Sequence, residues 1–426
     1  MKNFSLLLTA LVATTTALPH QKAHVKRDDP ESGVIPTGPG MDMMWTLMNT
    51  IANSPAANSF KEKVADSTTL KTHLRDDAIR VKTRYGPYTL PGANETLPGA
   101  SEPGSINLNK LIPSLCDGAC TILAGRLTLE YKDGKIANYS TGVYNHHIVI
   151  MDLSRVQQNL ICPGDEVSGV GRVPTIVLGG DSDDTEQLFT SPDGQYKSGY
   201  HLKDGQAMLM SGMLVNYQTE KQDIYITMEK EYLKGEQPGY LGINPLSISV
   251  GGCANQGSFY PETTTPNQTL ITLEGKEWTV PADGALLNAQ GHMHDGGSGV
   301  ILELNGKMVC NSSAEYGIVE NAGGMGGMDM GGGMKKRRVA TPTDVVRRDG
   351  PHGSHDGEDG VQTITHIGKC TEVVPVKEGD KVKVTANYDL VAHPMRVGND
   401  GKPAMVMGLG VGMFAFPVGT LVLEGN

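Results

Sequence analysis

Thr121-Ile122-Leu123-Ala124-Gly125-Arg126-Leu127-Thr128-Leu129-Glu130-Tyr131 sets how the rest of the chain is read. The run from Thr121 to Tyr131 is read as alternating apolar and polar side chains, the period of a strand rather than a helix. Asp133-Gly134 follows, a pair that suits the positive backbone angles of a tight hairpin. Similar short runs recur at 147–153, 206–217, 224–229, 246–250, 269–280, 300–310, 381–388 and 406–417. Turn signals such as Asn305-Gly306 and Glu378-Gly379-Asp380 separate several of them. Many short strands with regular punctuation predict an all-β fold of two antiparallel β-sandwich, jelly-roll-like domains. A boundary between 260 and 267 divides the strand-rich region into 84–260 and 267–426, each long enough for one such domain.

The preceding segment, 28–83, reads differently. Met43, Trp45, Leu47, Met48 and Ile51 have helix-compatible spacing, and 60–79 is charged with further such stretches, so a short helical N-terminal arm is expected. One later segment fits neither core. Residues 321–360 hold a Gly/Met tract, then Lys335-Lys336-Arg337-Arg338 and Arg347-Arg348, and lack the apolar residues a core needs. They are expected to form a disordered surface insertion open to proteolysis. Its methionines Met325, Met328, Met330 and Met334 suit Cu(I), and equally suit a plain linker.

Composition narrows the function classes. The 426 residues carry 36 Lys+Arg against 47 Asp+Glu, a formal charge of -11, which argues against a nucleic-acid partner. No apolar run reaches the ~18–20 residues of a membrane span. A charged Lys2, an apolar run from Phe4 to Ala13 and small residues at 15–17 have the anatomy of a secretory signal peptide over 1–17. Lys26-Arg27 then closes a propeptide at 18–27. Export fits six cysteines, Cys116, Cys120, Cys162, Cys253, Cys310 and Cys370, an even number suited to disulfides. Spacing does not select among the connectivities; Cys310–Cys370 is preferred because the two flank the insertion. Asn94, Asn138, Asn267 and Asn311 each begin an N-glycan acceptor triplet, so the exported chain is expected to be a glycoprotein.

Histidines carry the chemistry. His146-His147 opens a strand-like run, and adjacent strand residues face opposite sides, so both reach one ion only where the backbone bends. Gly291-His292-Met293-His294-Asp295-Gly296-Gly297 spaces two imidazoles by two, which places them on one face. A third segment, 388–395, offers His393, and Met405 and Met407 follow. Imidazole suits copper, zinc, iron and nickel alike, whereas a thioether favours Cu(I). A hydrogen-bonded pair that orders a loop is the competing reading of His292 and His294. No Gly-x-Ser-x-Gly elbow or phosphate-binding Gly-rich loop occurs.

The strings at 291–297, Cys310-Asn311-Ser312-Ser313-Ala314-Glu315-Tyr316, Ala386-Asn387-Tyr388-Asp389 and 404–408 resemble fungal secreted proteins of the stress-up-regulated nodulin family. That resemblance covers most of the chain from about residue 83 onward. The order His-His, His-x-His, late Met is also similar, more distantly, to the ascorbate-dependent type II copper monooxygenases of the peptidylglycine-hydroxylating kind. Those have two jelly-roll domains, each with one copper, and hydroxylate a C–H bond. The resemblance implies that His146 and His147 match the paired histidines of the electron-transferring copper. It also implies that His292 and His294 match the His-x-His of the oxygen-binding copper, with Met407 or Met405 as thioether ligand. The family's third histidine at the first copper has no clear match here; His201, in Gly199-Tyr200-His201, is the nearest candidate. Two functions follow as expectations. One is a secreted copper-binding glycoprotein, monooxygenase-like if it is an enzyme. The other is a non-catalytic cell-wall or stress-associated glycoprotein that keeps the fold without the chemistry. Either acts as a monomer on a small-molecule or cell-wall ligand.

Overall fold

The quoted run becomes a strand, Cys120–Glu130, buried along its whole length except at Arg126. Burial on both faces places it inside a sheet rather than at an edge, and its neighbours explain why. The computed structural model describes residues 62–98, 100, 102–156, 174–180, 185–251, 258–259, 267–319, 361–395 and 406–421. In chain order the first strands are β1 (Val64–Leu70), β2 (Ile79–Leu90), β3 (Ser105–Ile112), β4 (Cys120–Glu130), β5 (Val143–Val156), β6 (Pro174–Gly180) and β7 (Gln187–Leu188). Then come β8 (Ser198–Leu202), β9 (Met208–Asn216), β10 (Gln222–Lys234), β11 (Leu241–Ser249), β12 (Ser258–Phe259), β13 (Leu270–Glu274) and β14 (Trp278–Thr279). The last are β15 (Gly284–Met293), β16 (Gly297–Leu304), β17 (Lys307–Val319), β18 (Val361–Ile367), β19 (Lys369–Cys370), β20 (Val374–Val376), β21 (Lys381–Asp389) and β22 (Val406–Phe416).

The fold is all-β and overwhelmingly antiparallel. A large sheet runs β1-β2-β10-β4-β8-β11-β22-β15-β19, a second runs β13-β21-β16-β17-β18, and a third runs β3-β9-β5-β6. The sheets stack face to face. Ile122, Leu127 and Ile226 of the large sheet meet Ile148, Ile150, Met208 and Met210 of the third in one core. Leu246, Ile248, Leu286 and Phe414 of the same large sheet meet Val300, Leu302, Val382 and Val384 of the second in another. Strands β11, β15 and β22 of the large sheet contribute to both cores, Ile243, Ala285 and Ala415 to the first and Leu246, Leu286 and Phe414 to the second, so this part of the sheet is a wall shared by two sandwich-like layers.

The expected helical arm needs correction where it is described. Residues 64–70 form β1, paired with β2 from Asp66↔Arg84 to Leu70↔Arg80. Stiff Thr68 and Thr69 favour an extended chain, and pairing with β2 satisfies one edge of the backbone, a gain a solvated helix of this length lacks. Among the described residues the single helical element is a 3-10 turn, Tyr139–Thr141. The signal, propeptide and 28–61 segments, and the insertion 321–360 with its methionines, lie outside the described residues.

Cys116 is bonded to Cys120 and Cys310 to Cys370; Cys162 and Cys253 lie outside the described residues. Asn94, Asn267 and Asn311 are exposed. Asn138 is half-buried and caps the 3-10 turn, its Oδ1 accepting from the Ser140 backbone N–H at 3.1 Å.

Candidate metal centre

Two irregularities, one in β15 and one in β5, shape this region. A regular strand would put Leu286 and His292 on one face, since they are six apart. They are not on one face here. The β15–β22 register shifts between Leu286 and Asn288, and beyond that bulge Ala289 and Met293 join Leu286 in the second core. His292 turns the other way. Its cross-strand partner is Leu409, so Met407, two residues along β22, shares the face of His292. The opposite face of β22 is tightly filled. A side chain at Gly410 would meet Val384 Cγ2 at 2.6 Å, and one at Gly408 would meet Val250 Cγ2 at 2.8 Å.

The second irregularity answers the His146-His147 problem. The β5–β9 register shifts between Asn145 and His147, so His146 is an extra residue. Bulges of this kind re-aim side chains. Both imidazoles now leave the strand together, with His147 Nδ1 3.1 Å from His146 Nδ1 and ring centroids 4.9 Å apart. His147 is directly opposite Met213 of β9.

These two pairs meet. The His146 ring lies 5.4 Å from that of His294, and His292 and His294 lie 5.9 Å apart. The rings form one cluster rather than two separated pairs. Burial, followed by the neighbouring His294, lowers the His147 pKa to about 4. Burial, followed by His294 and His147, lowers that of His292 to about 3. Both are therefore neutral at physiological pH, with a nitrogen lone pair available.

The loop after the His-x-His pair is anchored from behind. The buried Asp295 carboxylate accepts the Ile364 backbone N–H at 2.9 Å and the Thr363 hydroxyl at 3.2 Å, tying the loop to β18. Tyr316 Oη accepts from the Gly296 N–H at 2.9 Å and donates to the Gly297 carbonyl at 2.8 Å. His393 stacks on that tyrosine, 3.7 Å between ring centroids, and so contacts the anchor of the loop. His201 stands elsewhere: its Nδ1 is 2.9 Å from Thr121 Oγ1 on the β4–β8 ladder. Met405 lies outside the described residues. Asp295 and Met213 carried no site reading in the sequence, although Asp295 directly follows the His-x-His motif.

Copper suits this donor set. Neutral imidazoles and thioethers are the ligands copper accepts in both oxidation states. Two imidazole nitrogens on one ion at about 2.0 Å stand roughly 3 Å apart, close to the His146–His147 separation. Among the described residues, no three His, Cys, Asp or Glu side chains already converge tightly enough to enclose an ion. The close pair and its two neighbouring rings are what the fold provides.

No known family profile matches the chain. It is 24% identical over 332 residues to a probable copper-dependent oxygenase of Phoma sp., covering 77% of this chain and 70% of that protein. It is 23% identical over 285 residues to a probable copper-dependent oxygenase of Cochliobolus lunatus, covering 66% of this chain and 75% of that protein. The chain is thus distantly related to proteins described as copper-dependent oxygenases. Among solved structures, PNGase F aligns over 80% of this chain and 96% of its own, at 10% identity and a TM-score of 0.31.

Proposed function

We propose that this chain is an exported, glycosylated copper oxidoreductase of the oxygenase kind, with one copper centre built from both histidine pairs. The observation that carries the reading is the 5.4 Å approach of His146, in β5 of the third sheet, to His294, in the loop that follows β15 of the large sheet. The relatedness to probable copper-dependent oxygenases supports the choice of metal.

In this reading His146, His147, His292 and His294 would hold the ion, with Met407 on the same face as His292. Copper bound there would supply one-electron redox cycling and activation of dioxygen. The protein's own contribution is to keep the lone pairs of His147 and His292 unprotonated by holding both rings partly out of water. Asp295 and Tyr316 fix the loop, so that His294 does not have to be ordered when metal enters. His201 and His393 remain outside the ligand set.

Replacing His292 and His294 together with Ala tests this. Elemental analysis of the secreted protein should then find copper lost from the variant and present in the parent. Copper content unchanged by the substitution would sink the site. A parent free of copper would instead favour the non-catalytic extracellular glycoprotein.

A further inference from the structure

Strand β9 carries three methionines, and their environments differ. Met208 and Met210 are fully buried in the core shared with the large sheet. Met213 is on the other face, 8% exposed, in a small cluster with Tyr144, Val215 and Tyr217. It stands directly opposite His147 in the ladder, immediately beside the bulge that turns the histidine pair. Opposed residues of an antiparallel pair share a face and keep their Cβ atoms about 4.5–5.5 Å apart. An unbranched thioether with three rotatable bonds spans the remaining distance to the imidazole's coordination space. Tyr144, a member of the same cluster, has its ring 5.9 Å from that of His146, so the environment of Met213 is continuous with the histidines.

Charge gives a reason for sulfur at this point. The four imidazoles bring no negative charge, and the cost of burying an ion without a counter-charge rises with the square of its charge. Cu(I) carries half the charge of Cu(II), and soft thioether sulfur prefers it. We infer that Met213 is a thioether ligand of the same centre, contributed from the β9 side as Met407 is from the β22 side, and that it biases the centre toward Cu(I). The inference rests on the copper reading above and adds a ligand to it.

The test uses the purified full chain, stripped of metal, with Met213→Leu and Met407→Leu as separate variants. Met213→Leu conserves volume, and circular dichroism checks that each variant is folded. Cu(I) affinity is measured anaerobically against a competing chelator, and copper-edge X-ray absorption counts sulfur neighbours. The expected result is that Met213→Leu removes one sulfur neighbour and weakens Cu(I) by roughly tenfold or more, the scale of losing even an outer-shell partner. Zn(II) affinity should stay within about twofold, because zinc gains little from a thioether. A sulfur count and Cu(I) affinity unchanged in Met213→Leu overturn the inference while leaving the copper centre standing. Should the parent chain bind no Cu(I), the copper reading fails, and the ligand role of Met213 fails with it.

Discussion

The Asp295 carboxylate, one residue beyond His294, is buried against Ile364 and accepts its backbone N–H at 2.9 Å. Removing the acceptor leaves a buried donor without a partner, which costs about 1–3 kcal/mol. Asp295→Ala should therefore lower unfolding stability by that amount, read from equilibrium denaturation. Asp295→Asn keeps an oxygen acceptor and should lose less. Equal stability of the alanine variant and the parent would contradict the anchoring role.

Acid should destabilise the metal-free chain through its buried imidazoles. His147 falls from an ordinary 6.5 to about 4 and His292 to about 3 on folding. Below pH 6.5 the unfolded chain binds protons that the folded chain refuses, so stability falls as pH falls. The loss runs from about pH 6.5 down to 4 for His147 and on to about 3 for His292, then levels off. His147 alone accounts for a loss on the order of 3 kcal/mol. Denaturation midpoints of chelator-treated protein across this range check it, and replacing His147 with Gln should flatten the slope.

Gly410 has no room for a side chain. A Cβ there would stand 2.6 Å from Cγ2 of Val384, a stiff and fully buried residue. Gly410→Ala should cost about 1–3 kcal/mol through overpacking. Gly306, with open space around it, is the control for crowding, although its positive φ of 75° adds backbone strain of its own. Thermal melts of both variants give the comparison; equal small shifts would rule out crowding as the cause at Gly410.

Cys310 and Cys370 bracket the stretch that holds the basic pairs at 335–338 and 347–348. Proteolysis at those pairs should leave a single band in a non-reducing gel and two after reduction. Two bands without reductant would show that the bridge does not join the fragments.

Much of the architecture was legible because strand alternation is local. The runs at 121–131, 206–217 and 381–388 fall on β4, β9 and β21. The arm expected over 28–83 is a strand rather than a helix at 64–70, because its composition tolerates a helix whereas the edge of β2 supplies a pairing partner no local pattern announces. In the site, the nearness of His292 and His294, with ring centroids 5.9 Å apart, is local to the His-x-His string. The meeting of that pair with His146 and His147 is not local, since it depends on how separate sheets approach. The bulge at His146 has no glycine to mark it, and Met213 reads in sequence like any packing methionine.

The extra residue in β15 between Leu286 and Asn288 has a consequence for how this protein can change. It inverts the phase of the strand, which lets Leu286 serve the aliphatic interior while His292 looks away from it. Without that odd count the strand could not satisfy both demands. Single-residue length changes in β15 are thus barred by arithmetic before any question of chemistry arises, and only compensated pairs of changes would leave the imidazoles aimed where they are.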